Sequence, residues 1–266
     1  MKNAIITGAY GAIGKAIARK IAEAGYRTYL VGREEKKLQE ATEEIIRKTG
    51  NAEIFYEIVD LSSAKEIKDF AVRWNDPLSV LVNNAATAPR KRNENNEGIE
   101  MQFAVNVLSY FRMTSHFKDF MKNEEDARIV NVASYWAGEL DMDDLEFTRR
   151  NYNNDAAYRQ SKQADRMLTV AFSERIFSYG ITVNSCHPGD VNSKISNDLG
   201  FGGHESPDEG AATPAWLALS SEIKGISGRY FAHWREAFCE FSADKIAIEK
   251  LYSICAVYDE KVIYHE

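Results

Sequence analysis

The sequence predicts one doubly wound α/β domain over 1–266, with a mostly parallel seven-stranded sheet and helices on both faces. Short apolar runs alternate with longer segments of helical period, the order expected of βαβ units. The runs are continuously apolar, as parallel strands covered on both sides require. No repeat, low-complexity tract or Pro/Ser-rich linker divides the chain.

The elements follow in order. Strand Asn3–Thr7 leads into a helix over Ala12–Ala24, closed by Gly25, which suits a left-handed cap. Strand Thr28–Val31 comes next, then a helix whose inner face is marked by Leu38, Ala41, Ile45 and Thr49 before Gly50. Strand Ile54–Val59, helix Ala64–Trp74, strand Ser79–Val82 and a long helix over Gly98–Met121 continue the alternation. The second half reads as strand Ile129–Ala133, helix Ala156–Tyr179, strand Ile181–Cys186, helix Asp208–Leu219, short strand Arg229–Ala232 and terminal helix Asp244–Cys255. Two segments lack regular signals, Tyr135–Asp155 and Asp190–Pro207. Loops this long are uncommon in a compact domain unless functional, and both follow strands at the sheet edge where open α/β folds hold ligands.

Composition removes several classes of function. With 44% hydrophobic and 27% charged residues the chain can bury a full core. No stretch approaches the roughly 20 apolar residues of a membrane span. A net charge of −7 argues against nucleic acid as a partner. Cys186, Cys239 and Cys255 form neither a disulfide framework nor a zinc motif, and the histidines, His265 included, have no ligand spacing, so no metal is expected. Cys186 and His187 are adjacent on a strand and point to opposite faces, which argues against a thiol–imidazole pair. With a strand beginning at residue 3, no export signal is expected, and the cytoplasm fits best.

The first strand runs into Thr7-Gly8-Ala9-Tyr10-Gly11-Ala12-Ile13-Gly14 and directly into a helix. Glycines permit a tight turn and close approach of a pyrophosphate, while the helix N-terminus supplies free N–H groups and a positive dipole end. At the end of the second strand an acidic side chain would suit NAD and a basic one the extra phosphate of NADP. The residue is Arg33, so NADP(H) is preferred with NAD(H) as the alternative; Glu34 either faces the same pocket or serves as a first-turn carboxylate of the next helix. Tyr158 and Lys162, four apart in a predicted helix, share one face, and an ammonium beside a phenol stabilises its anion.

Together with other segments these features resemble the short-chain dehydrogenase/reductase family along essentially the whole chain, and so a Rossmann fold. Asp60-Leu61 ends the third strand like the family pair that contacts adenine, and Asn83-Asn84-Ala85-Ala86 is similar to the family's Asn-Asn-Ala-Gly. Asn106 stands at the family's proton-relay asparagine, Ser134 at the catalytic serine, and Tyr158 and Lys162 at the catalytic tyrosine and lysine. His187-Pro188-Gly189, with Val191 and Ser193 after it, resembles the segment that contacts the nicotinamide. The spacing of 24 residues from Ser134 to Tyr158, with Pro207–Ala211 and Gly228–Phe231, is similar to the retinol dehydrogenase and protochlorophyllide reductase-like branch.

The resemblance implies reversible hydride transfer between nicotinamide and a small-molecule carbonyl or alcohol with apolar bulk. Tyr158 would be general acid and base, and Ser134 would hold the substrate oxygen. Lys162 would lower the tyrosine pKa and hold the ribose, and Asn106 would place a water joining Lys162 to solvent. Thr7, Gly8, Tyr10, Gly11, Ala12, Ile13, Gly14, Arg33, Asp60, Leu61, Asn83, Ala85, Pro188, Gly189, Val191 and Ser193 would bind cofactor along with Tyr158 and Lys162. Tyr135, Trp136 and Asp190–Pro207 would form the substrate wall or a lid. The helices carrying Asn106 and Tyr158 resemble those that join homodimers and homotetramers, while monomers occur in the same branch.

Two departures stand out: Ala12 where the family has a glycine, tolerable if φ is negative there, and Ala86 in the second motif. The Gly-x-x-Gly-x-x-Gly spacing also fits an extended sugar epimerase or dehydratase, which would retain a tightly held NAD. A non-catalytic NADP(H) sensor would bind cofactor and reduce nothing.

Overall fold

The computed structural model describes residues 1–263, so His265 lies outside the described residues. The strands are β1 Asn3–Thr7, β2 Arg27–Gly32, β3 Ile54–Ile58, β4 Val80–Asn83, β5 Ala127–Val132, β6 Ile181–His187, β7 Tyr230–Ala232 and β8 Arg235–Glu236. They form one sheet in the order β3-β2-β1-β4-β5-β6-β7-β8. Every pairing is parallel except β7 with β8, a two-residue strand that folds back on the edge. The sheet therefore has eight strands where seven were expected, because Arg235–Glu236 is too short and too polar to register as an apolar run.

The helices are α1 Ala12–Glu23, α2 Glu35–Thr49, α3 Ala64–Arg73, α4 Ser109–Met121, α5 Asn154–Ile176, α6 Lys194–Leu199, α7 Pro207–Gly210, α8 Ala212–Leu219 and α9 Lys245–Ile263. Local chemistry fixes several starts: the Ser63 hydroxyl accepts from the Glu66 N–H ahead of α3, and the Asn153 side chain accepts from the Ala156 N–H ahead of α5. The long helix expected over Gly98–Met121 starts later and contains a π-helical stretch, Phe103–Leu108, that carries Asn106. The helix expected over Asp208–Leu219 is broken at Ala211. The last helix continues past Cys255, where Tyr258 packs edge-on against Phe103 at 5.2 Å.

Alternate residues of the strands feed two separate cores. Ile5, Val31, Leu81, Ile129 and Val183 face the side covered by α3, α4, α5 and α9, while Ala4, Ile6, Leu30, Val80 and Val130 face α1, α2 and α8. The strand order reverses between β1 and β4, and at such a switch point the loops leaving adjacent strands part and open a crevice. The glycine turn leaves β1 there, beside the segment after β4. Among the described residues no helix is long and apolar enough to cross a membrane, and no group of three or more His, Cys, Asp or Glu is placed to hold a metal ion.

Candidate active site

A cleft of about 520 Å³ lies over the switch point. Its floor is the glycine turn. Gly8 has φ +64°, and a Cβ there would stand 2.8 Å from the Ala85 Cα; at Gly14 it would stand 2.4 Å from the Gly8 carbonyl oxygen. Only glycine lets the turn close this tightly. Ala12 is the first residue of α1, in helical conformation, so its methyl group is accommodated. The N-cap Gly11 offers no side chain to the N–H groups of the first turn, and the first turn carries no acidic residue. A helix start left open in this way and lining a cleft suits a pyrophosphate.

Thr7 supports the turn from beneath. Its buried hydroxyl accepts from the Asn84 and Ala85 N–H groups at 2.8 and 3.1 Å, tying β1 to the segment after β4. Asn83 is likewise below the cleft: its amide donates to Asn131 at 2.9 Å, and the neighbouring Asn84 lines the cleft instead. Asn83 is thus placed as a strut in the sheet, beside the cleft-lining Asn84.

At the end of the cleft beside β2 stand Tyr10, Gly32, Arg33, Glu34 and Lys37. The Tyr10 ring lies on Gly32, where a Cβ would meet it at 2.4 Å. Glu34 pairs with Lys37 at 2.7 Å, and that bond holds its carboxyl below the ordinary range. Its charge is therefore already answered. Asp60 and Leu61 line the cleft, but the Asp60 carboxylate accepts from the Ser62 N–H and hydroxyl at 2.9 and 2.8 Å, shaping the turn before α3.

At the other end Tyr158 and Lys162 reach the cleft from α5, and Ala133 from the end of β5. Ser134 is buried, its hydroxyl accepts from the Trp136 N–H at 3.0 Å, and it hydrogen-bonds Tyr158. Lys162 is fully buried; its Nζ lies 5.8 Å from the Tyr158 ring centre and 5.0 Å from that of Tyr110. The ammonium donates to the Val132 carbonyl at 3.0 Å and to Asp165 at 2.8 Å. Tyr158 and Lys162 share one face of α5, and Ser134 comes together with them, with one difference in their electrostatics from the expectation. Burial raises the Tyr158 phenol above its ordinary pKa; Lys162 pulls it down, Asp165 pushes it up, and the bond with Ser134 pulls it down again. The net direction is upward, where a depressed value was expected, because burial outweighs an ammonium that already has a carboxylate partner.

Asn106 is placed one layer behind. Its side chain accepts from the Thr87 N–H at 2.8 Å, and donates to the Thr87 carbonyl at 3.0 Å and to the Ser161 hydroxyl at 3.1 Å. It clamps the segment after β4 against α5, so its amide is committed to the scaffold. A π-helical stretch at this position fits the tendency of such irregularities to occur at functional sites.

Pro188 and Ser193 line the cleft, and Val191 is buried behind them. The Ser193 hydroxyl is engaged in a capping box with Ser196 at the start of α6. Gly189 has φ +112° with the Glu205 side chain lying across it. The two long segments meet where Trp136 stacks on Phe201 at 5.4 Å, and the Tyr135 ring meets His187 edge-on at 4.6 Å. Cys186 lies in the core on the opposite side, its thiol raised by burial and unreactive.

Burial pushes the His187 imidazole down to about 4, against an unfolded value near 6.5. A depressed pKa contributes stability that is complete above about 6.5 and is lost as pH falls toward 4. His187→Phe should therefore flatten the loss of urea stability between pH 7 and 4.5 by roughly 2 kcal/mol, read from denaturation midpoints. An unchanged acid slope would mean that the imidazole titrates normally.

Sequence reasoning passed over Asp165, Tyr110, Lys37 and Arg166. Asp165 was within reach, three positions after Lys162 on the same helix. Arg166 donates to the Ser134 carbonyl and lies 3.7 Å from the Tyr230 ring centre, a contact between α5 and β7 that no local pattern signals.

A nucleotide-sized cleft at the reversal point of a parallel sheet, with a buried lysine beside a tyrosine, belongs to the class of dinucleotide-binding α/β oxidoreductases. Comparison with known proteins narrows that class. The family model for short chain dehydrogenases matches residues 2–200, and the chain belongs to that family. Mouse retinol dehydrogenase 13 is 34% identical over 255 residues, 88% of this chain and 76% of its own, which places the chain in the retinol dehydrogenase-like branch. An uncharacterized protein from Mycobacterium paratuberculosis has the same fold, with a TM-score of 0.83 at 21% identity covering 98% of this chain and 94% of its own. Actinorhodin polyketide ketoreductase, solved with NADPH, superposes with a TM-score of 0.68 at 24% identity, covering 86% of this chain and 94% of its own. The protein is an oxidoreductase acting on alcohol or carbonyl groups.

Proposed function

We propose that the protein transfers a hydride reversibly between NADP(H) and a carbonyl or alcohol substrate with apolar bulk, with Tyr158 as the proton donor in reduction and acceptor in oxidation. The observation that carries this reading is the placement of Tyr158 between the Ser134 hydroxyl and the Lys162 ammonium at the cleft. The nicotinamide, when bound, supplies or accepts the hydride; the chain supplies position and charge. Ser134 holds the substrate oxygen beside the phenol, and Lys162 stabilises the tyrosinate left when the proton has gone. A phenol held protonated by burial is ready to donate at neutral pH. Pro89, Met101, Val105 and Ile195 line the cleft and favour an apolar substrate.

For the cofactor, the pairing of Glu34 with Lys37 leaves the Arg33 guanidinium as the group for a 2′-phosphate. Assaying a panel of carbonyls and alcohols with NADP(H) and NAD(H) in parallel tests the activity and the cofactor together. Turnover only with NAD(H) would reject the NADP assignment, and turnover of no member with either cofactor would reject the reaction. Arg33→Ala should weaken NADPH binding by about tenfold or more, a loss of roughly 1.4 kcal/mol, and leave NADH nearly unaffected, as read by cofactor fluorescence. Equal losses for both would place Arg33 outside phosphate recognition.

A further inference from the structure

Asp165 is a buried carboxylate that the reaction as described does not use. It is 0% exposed, and so is Lys162, whose Nζ it meets at 2.8 Å. One of its oxygens takes that contact, while Oδ1 has no hydrogen-bond partner. Among the described residues, Lys162 is the one charged group that acts on the carboxylate. The titratable groups around the pair are Tyr158 on its own helix, Tyr110 from α4, Cys255 from α9 and, across the sheet, Cys186 from β6, and burial raises each of them and keeps it neutral. Arg112 stands beyond Cys255 and answers Glu97 and Asp259 at 3.6 and 3.5 Å. The pocket beneath Tyr158 therefore holds one positive and one negative charge. Burying an ion pair costs so much desolvation that stability alone is a poor reason to keep one.

We propose that Asp165 is a positioning residue of the site, holding the Lys162 ammonium against the Val132 carbonyl and offsetting its charge, so that Asp165 sets the pH at which Tyr158 can release its proton. This rests on the reading of Tyr158 as proton donor and acceptor. A neutral side chain of the same shape would still accept from the ammonium, yet leave its charge acting on the phenol unopposed.

The test is a pH titration of tyrosinate absorbance in wild type, Asp165→Asn and Asp165→Glu, each referenced to the same protein carrying Tyr158→Phe. Asp165→Asn should move the ionisation of Tyr158 down by about one pH unit, and the pH of half-maximal alcohol oxidation with it. Asp165→Glu, which keeps the charge, should stay with wild type. An unmoved phenol in folded Asp165→Asn overturns the proposal. Should that variant not fold, the wild-type protein decides: Tyr158 should ionise no lower than a free tyrosine, at about 10, and ionisation well below that would mean that Lys162 acts unopposed. The underlying reading fails separately, if Tyr158→Phe retains turnover whatever the titrations give.

Discussion

Replacing Tyr158 by Phe should lower turnover by about 10³-fold or more while leaving NADPH affinity within about twofold. The ring is retained, so its packing over Lys162 survives and the phenolic oxygen alone is lost. That oxygen meets Ser134 on one side and lies within reach of the Lys162 charge on the other. Without it, substrate oxygen still meets Ser134, but no proton can follow the hydride. Steady-state turnover and cofactor fluorescence on the same preparation separate the two effects. Turnover within tenfold of wild type would move the proton to another group, and a large fall in NADPH affinity would make Tyr158 a binding residue above all.

How legible this site was depends on the distance in space between a residue and its reason. The glycine turn, the strand before it and the helix after it are consecutive, and so are Tyr158 and Lys162 on one helix face; a periodicity argument reaches them. Arg33 could be read because it ends a strand. That the Asn83 side chain turns into the sheet was not legible, since whether a strand-end residue faces the cleft or the sheet is settled by Asn131 and Thr114 on other elements. Asn106 was singled out only by the family resemblance, while its clamp on Thr87 and Ser161 joins segments far apart in the chain. Strand β8 was missed because two polar residues carry no hydrophobic signal. Lys37 was passed over, although its spacing from Glu34 is an ordinary helical pair. The phenol's upward shift lay beyond sequence reasoning altogether: the sign depends on how deeply Tyr158 is buried and on Asp165 sharing the lysine, and both are tertiary facts.

Lys162→Met should abolish turnover and also destabilise the fold, and the two losses have different origins. Methionine fills much of the same volume without charge, so the tyrosinate loses its stabilising ammonium and turnover falls by about 10³-fold. Meanwhile Asp165 is left buried without its cation, and breaking a buried pair from one side typically costs about 3–5 kcal/mol. Burial already pushes the Asp165 carboxyl above the ordinary carboxylate range with the lysine present. Once Lys162 is gone its pKa rises further, so the folded variant takes up a proton that the unfolded chain does not hold above about pH 4. Stability of Lys162→Met should therefore be greatest in acid and decline as pH rises, opposite to the usual carboxylate behaviour. Adding Asp165→Leu removes the orphaned acid; the double variant should recover its urea midpoint, lose that pH slope, and remain inactive. If the double variant were as unstable as the single one, the cost would lie in repacking around methionine. If Lys162→Met kept its turnover, the ammonium would have no part in activating Tyr158, and the chemistry would have to be carried by the Ser134 contact and burial alone.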